Sequence, residues 1–422
     1  MQLIRQVGSE TRGLGLVFPP LLDWLPTETL YSLCGRLHAF WGQPSSARTS
    51  QLLFGGRRAG MQHDFPSYLD SFCQRTGGVF GEPERIAEER TLLRYFRPFI
   101  GHGQYADAIA AMRSPSVAHL KFNLGLLTSR FRAHHPLKAC RQCIVDDRRT
   151  GQFHWRLEHQ YPGVWVCLKH GMPLFESALK ATGVSRFDWI LPSGQLGGPA
   201  SGHISDSTLK SWRSLAAMTV GIISAEEGHG WLPIGRLQKV LLRELSDRGW
   251  LTSSGQLRTK LMAPAFVEYA KSFSGLLEMA ALPSATGDAE TQLGRLLRPM
   301  RTGTHPLRYI TLIDWLFPDA AAFRSVVAET DLEEPVSREV VPMVPHRVRR
   351  IETHARDELV RRIRDGQSPT AAAREIRVDI ATARAWAAQA GIATERRPSV
   401  LKPNCCCLCG IDQLRMLLRG RA

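Results

Sequence analysis

The stretch LPTETLYSLCGRLHAFWG sets Leu30, Leu33, Cys34, Leu37 and Trp41 at the i, i+3, i+4, i+7 spacing of one buried helical face. Thr27, just after Pro26, is placed to cap that helix, and Gly42 and Pro44 stop it. Cys34 lies on the apolar stripe and is therefore expected in the core rather than on a metal. Helical periodicity continues to about residue 125, interrupted by the turn-rich, basic FGGRRAG. Between 133 and 175 the pattern changes to paired Cys and His, a polar turn at DDRRTG, and short aromatic or β-branched runs. LPSGQLGGPASGHIS, residues 191–205, reads as a linker or long loop.

Helical spacing returns after residue 231. Leu237, Val240, Leu241 and Leu245 share one face, and Gly249 stands where that helix ends. SSG then turns into QLRTKL and a further helix, an outline that fits a winged helix-turn-helix with Arg258 and Lys260 near its wing. Residues 301–323 predict a buried helix closed by Pro318, and 333–350 are a Pro- and charge-rich linker.

SPTAAAREIRVDIATARAWAAQAGI, residues 368–392, fits a helix-turn-helix. Ser368 caps the first helix, Pro369 suits its first position, and Ala372, Ala373 and Ile376 face inward. Val378 anchors the turn and Asp379 caps the second helix, which Ala383, Trp386 and Ala387 pack and Gly391 ends. That helix would present Ala381, Thr382, Arg384 and Ala385 to base edges. Arg377 stands where such turns favour glycine. Arg347, Arg349, Arg350, Arg361, Arg362, Arg364, Arg396 and Arg397 surround the unit as candidate phosphate contacts.

The fold expected is mainly α and multidomain, with helix-turn-helix units and a small structural zinc-finger segment. Its parts are a helical domain over 1–125, a zinc segment over 126–190 and a helical domain over 206–332. A helix-turn-helix over 345–400 and a Cys-rich basic tail over 401–422 complete it.

Composition sharpens this outline. The chain has 422 residues, 43% hydrophobic and 22% charged, more than one core usually fills. No stretch has the roughly 18 uncharged apolar residues of a membrane helix. The first 30 residues carry Arg5, Glu10 and Arg12 in no continuous apolar run, so no signal peptide is expected. A cytoplasmic, nucleoid-associated protein with no membrane partner follows as the expectation. The net charge of +15 favours a polyanion, and without a lipidation signal or basic amphipathic helix that polyanion is nucleic acid.

Nine cysteines fall as two singles (Cys34, Cys73), a spaced trio (Cys140, Cys143, Cys167) and a tail cluster (Cys405, Cys406, Cys407, Cys409). In ACRQCIVDDRRTGQFHWRLEHQYPGVWVCLKHG, Cys140 and Cys143 make one C-x-x-C knuckle. Cys167 and His170 make a C-x-x-H knuckle further along. Two knuckles supply the four tetrahedral ligands of a zinc ion and leave no position for water, so the site is expected to be structural, one zinc per chain. His154 and His159 are rival ligands outside the knuckles. Cys406 and Cys409 have knuckle spacing but no nearby second pair.

HWRLEHQYPGVWVCLKHGMPL resembles the zinc-binding signature of the TniQ/TnsD transposition proteins, in its aromatic-Arg pair, His-Gln, Pro-Gly-Val and C-x-x-H-G-x-x-L. LPTETLYSLCGRLHAFWG resembles the family's amino-terminal helix, and THPLRYITLIDWLF a segment of its TnsD-like branch. The resemblance implies a protein that selects the target of a transposon. Such proteins recognise an attachment site in double-stranded DNA directly or join an RNA-guided CRISPR effector complex. They recruit an AAA+ regulator that brings the transposase. The alternative of another class is a free-standing zinc-containing transcription regulator. An enzyme is not expected, since neither G-x-x-x-x-G-K-[ST] nor H-E-x-x-H occurs.

Overall fold

The structure, a computed structural model, describes residues 4–5, 19–127, 129, 131, 136–177, 187–192, 196–197, 204–225, 230–296, 304–332, 350–376, 378 and 380–392. It divides into two units, 1–334 and 335–422. Eighteen α-helices and five short strands are found among the described residues, so the protein is mainly α.

In the first unit β1 (Ile4–Arg5) pairs antiparallel with β2 (Leu21–Leu22). Seven helices follow: α1 (Leu30–Phe40), α2 (Ser46–Phe54), α3 (Leu69–Arg75), α4 (Pro83–Arg90), α5 (Leu93–Phe96), α6 (His102–Arg113) and α7 (Leu120–Asn123). Leu30, Leu33, Cys34 and Leu37 of α1 are all buried, as their spacing predicts. The cap differs from expectation. Thr29 accepts from the Ser32 N–H at 3.1 Å, while Thr27 takes a left-handed φ of 55° and its carbonyl accepts from Leu157 N–H. Thr27 is thus occupied by a distant partner that no local pattern reveals.

The middle of the unit runs β3 (Lys138–Ala139), α8 (Arg141–Thr150), α9 (Leu157–Gln160), β4 (Phe175–Ser177) and β5 (Leu196–Gly197), with the strands in antiparallel order β3-β4-β5. The DDRRTG turn is corrected here. DDRRT forms the end of α8, and only Gly151, at φ 69°, leaves the helix. Asp147 is drawn inward by Arg156, which donates to both its oxygens at 2.6 and 3.0 Å, so a polar run stays helical.

Six helices complete the unit: α10 (Asp206–Ile223), α11 (Ile234–Asp247), α12 (Thr259–Lys271), α13 (Thr286–Leu296), α14 (Leu307–Leu316) and α15 (Ala320–Leu332). Leu237, Val240, Leu241 and Leu245 of α11 are buried, and Gly249 has φ 70°. Residues 301–323 hold parts of two helices rather than one, because α14 stops before Pro318 and α15 starts two residues later. One apolar cluster extends from Leu21 to Val327 and draws on most of these elements.

A buried polar knot ties the β3–β4 region to the later helices. Lys138 Nζ donates to the carbonyls of Tyr161 and Val164 at 2.9 and 2.8 Å and lies 4.0 Å from Glu278. Glu278 in turn accepts from Gly163 N–H and Trp165 Nε1 at 2.8 and 2.7 Å. Gly163, at φ 85°, is where a Cβ would come within 2.8 Å of Leu307, so the Pro-Gly-Val run permits a close backbone approach to α14.

The second unit comprises α16 (Arg350–Arg364), α17 (Pro369–Ile376) and α18 (Ile380–Gln389), packed against one another. Its core is small: Leu359, Ala372, Ala373 and Ala383, flanked by Ile363, Ile376, Val378 and Trp386. Ser368 Oγ accepts from Ala371 N–H at 3.2 Å, and Gly391 has φ 73°. Residues 333–349 of the 333–350 linker, Arg377, Asp379 and the Cys405–Cys409 tail lie outside the described residues, while Arg350 already belongs to α16.

Candidate metal centre

Backbone pairing brings the two knuckles together. Ala139 of β3 faces Phe175 of β4, so the chain leaving β3 and the chain entering β4 run side by side. Cys140 caps the amino end of α8 and Cys143 sits in its first turn. Opposite them, Cys167 N–H donates to Met172 O at 2.9 Å, and Gly171 N–H closes back on Cys167 O at 2.7 Å. Gly171 takes the left-handed φ of 65° that this reversal requires.

Cys140, Cys143, Cys167 and His170 thereby place their donor atoms within 4.8 Å of one another. His170 Nδ1 lies 3.6, 3.3 and 3.5 Å from the sulfurs of Cys140, Cys143 and Cys167, and the Cys143 and Cys167 sulfurs are 3.7 Å apart. A tetrahedral ion with metal–sulfur distances of about 2.3 Å and metal–nitrogen of about 2.0 Å sets edges of about 3.8 and 3.5 Å. The three nitrogen–sulfur distances and the Cys143–Cys167 distance are close to those edges, so the four donors could hold such an ion. All three cysteines are buried. The three thiols share their protons through mutual hydrogen bonds, which push Cys140 down and Cys143 and Cys167 up.

The rival histidines are elsewhere. His154 Nδ1 lies 2.9 Å from Gln152 O, and burial lowers its pKa. His159 is buried, which pushes its pKa down to about 3. Both are buried and stand outside the four-donor cluster. Other signature residues also serve the scaffold. Gln160 accepts from Lys138 N–H and donates to Lys138 O, pairing with β3 from its open side. Trp155 N–H donates to Ser32 Oγ on α1, and its indole donates to Ile190 O.

One functional residue was not read from the sequence. Asp146 Oδ2 stands 3.1 Å from His170 Nε2 and accepts from Lys169 Nζ at 2.8 Å. This contact holds the imidazole with Nδ1 toward the sulfurs, the role carboxylates play behind metal-bound histidines. A signal existed: Asp146 is three residues after Cys143, hence on the same side of α8.

The residues proposed to contact DNA are placed as follows. Thr382 and Arg384 are exposed on α18, where Ala381 and Ala385 also lie. Arg361 and Arg362 on α16 both pair with Glu358, at 2.5 and 2.8 Å, and Arg362 also pairs with Glu375. Arg364 is exposed near the end of α16, and Arg350 begins that helix. Arg258 and Lys260 are exposed at the start of α12, beside the Leu251–Leu257 bridge. Arg347, Arg349, Arg377, Arg396 and Arg397 fall outside the described residues.

Comparison with known families adds two matches. Residues 19–174, which include the four donors, match the family model described as TniQ. Residues 232–406 match the one described as Tn7-like transposition protein D. Among curated proteins, none matches the chain. No helix among the described residues is long and apolar enough to cross a membrane.

Proposed function

Because this chain belongs to the TniQ/TnsD family and is a Tn7-like transposition target-selection protein, we propose that it reads an attachment site in duplex DNA. In this reading the 1–334 unit is organised around one structural zinc and recruits an AAA+ regulator, through which the transposase arrives. The protein acts by binding rather than catalysis. Zinc, with three thiolates and an imidazole around it, supplies folding free energy and offers no open coordination position.

The observation that carries the DNA reading is in the second unit. α17 and α18 are joined by three residues and pack through Ala372, Ala373 and Ala383, while Thr382 and Arg384 point outward from α18. A second helix presenting an arginine beside small residues is the arrangement of a helix-turn-helix in a major groove. The net charge of +15 suits the phosphate contacts that position such a helix. Arg361 and Arg362 reach phosphate only by exchanging their carboxylate partners, the half-buried Glu358 and the exposed Glu375. Arg258 and Lys260 are further candidates for backbone contact.

Footprinting on DNA flanking the native element tests the reading. A discrete protected site with the purified protein alone is the expected result. Equal, weak binding to every duplex would overturn it and favour docking on an RNA-guided CRISPR effector complex.

A further inference from the structure

The outward face of α8 has no role in the metal centre that α8 helps to build. Cys143, Ile144 and Asp147 point inward, whereas Arg141, Val145, Arg148 and Arg149 are exposed. These positions follow the i, i+4, i+7, i+8 spacing of a single helical face. Both carboxylates of α8 are spoken for, Asp147 by Arg156 and Asp146 by Lys169 and His170. Among the described residues no ion pair engages Arg141, Arg148 or Arg149, so three positive charges stand on this face uncompensated.

Helix electrostatics explain only part of this. Arg148 and Arg149 lie in the last turn, where a cation complements the dipole, but Arg141 lies in the first turn, where a cation opposes it. Arg141 is also held in place, its guanidinium 4.0 Å from the centre of the Phe175 ring on β4. Val145 leaves 42% of its surface exposed in the midst of the arginines.

We propose that this face of α8 is a contact surface for the phosphate backbone of duplex DNA, separate from the α16–α18 unit. The inference rests on the DNA-reading function argued above and adds a second place of contact. Arg141 and Arg148 are about 10 Å apart along the helix axis, a length that passes roughly three phosphates of one strand. Guanidinium groups recognise phosphate oxygens without reading sequence, so the face supplies grip and orientation rather than site choice. Cys140 and Cys143 tie the start of the same helix into the four-donor cluster.

The test is an Arg141→Gln/Arg148→Gln/Arg149→Gln variant of the full chain, titrated against a random-sequence duplex over a range of salt concentrations. Metal content and thermal unfolding stay as in the unmodified protein, and the slope of log affinity against log salt becomes shallower by about 2–3. Arg148→Gln and Arg149→Gln alone each reduce the slope by about one, which decides the matter if the triple variant folds poorly. Unchanged slopes with normal binding would remove this surface while leaving the target-reading function standing. An unmodified protein that binds no duplex at low salt would overturn both.

Discussion

The metal segment and the α16–α18 unit are both small helical pieces, held in shape by different means. Around residues 138–177 three cysteines, one imidazole, a buried lysine and two indoles are locked into one another and into a core that runs from Leu21 to Val327. The α16–α18 core has one leucine and three alanines at its centre. Alanines bury little apolar area, so each contributes a fraction of what a leucine does. The contrast fits a division of labour. A site that anchors a scaffold gains from being immovable, whereas a unit proposed to lie on DNA would need slim helices with exposed arginines and would gain stability from what it binds.

The strongest way to break this contrast is Cys167→Ala. Losing one thiolate from a closed site removes metal binding on the order of 10 kcal/mol. Metal analysis should fall from one ion per chain to near zero, with early thermal unfolding of the 1–334 unit. Retention of full metal and stability would show that the segment is held by its core alone.

Lys138→Met should come next. It removes the lysine beside buried Glu278 and strips two carbonyls of a donor, costing about 3–5 kcal/mol in denaturant titration. A Lys138→Met/Glu278→Gln double variant that recovers much of the loss would confirm the buried charge as the cause. A negligible effect of Lys138→Met would mean the knot is incidental to the join between β3 and the later helices.

In the terminal unit, Leu359→Ala should cost about 2–5 kcal/mol, because Leu359 is fully buried and supplies much of a small core. Hydrogen exchange should report that α16–α18 opens while metal content is untouched. Loss of metal in this variant would contradict the independence of the two regions. The smallest effect is Arg384→Ala, which should relax base preference at one position by about 1–3 kcal/mol without changing stability. Equal weakening on all sequences would reassign Arg384 to a phosphate.

The two regions were unequally legible in sequence. Cys140, Cys143, Cys167 and His170 were readable because knuckle spacing is set by the turn that holds each pair. The inward alanines of α17 and α18 were readable because helical period alone fixes their side. Partnerships between remote residues left no local trace. Nothing near Lys138 announces Glu278, Thr27 shows no sign of Leu157, and DDRRT reads as a turn until Arg156, Lys169 and His170 are seen to pair with its carboxylates. The composition breaks at 126–190 and 191–205 likewise gave no hint that one apolar cluster continues past them.

Removing residues 341–422 tests the division most directly, with metal content and binding to attachment-site and scrambled duplexes measured on the same preparation. The account predicts one zinc per chain and a folded 1–340 remainder that no longer distinguishes the two duplexes. A truncated protein that still selects its site, or that loses its metal, would contradict it.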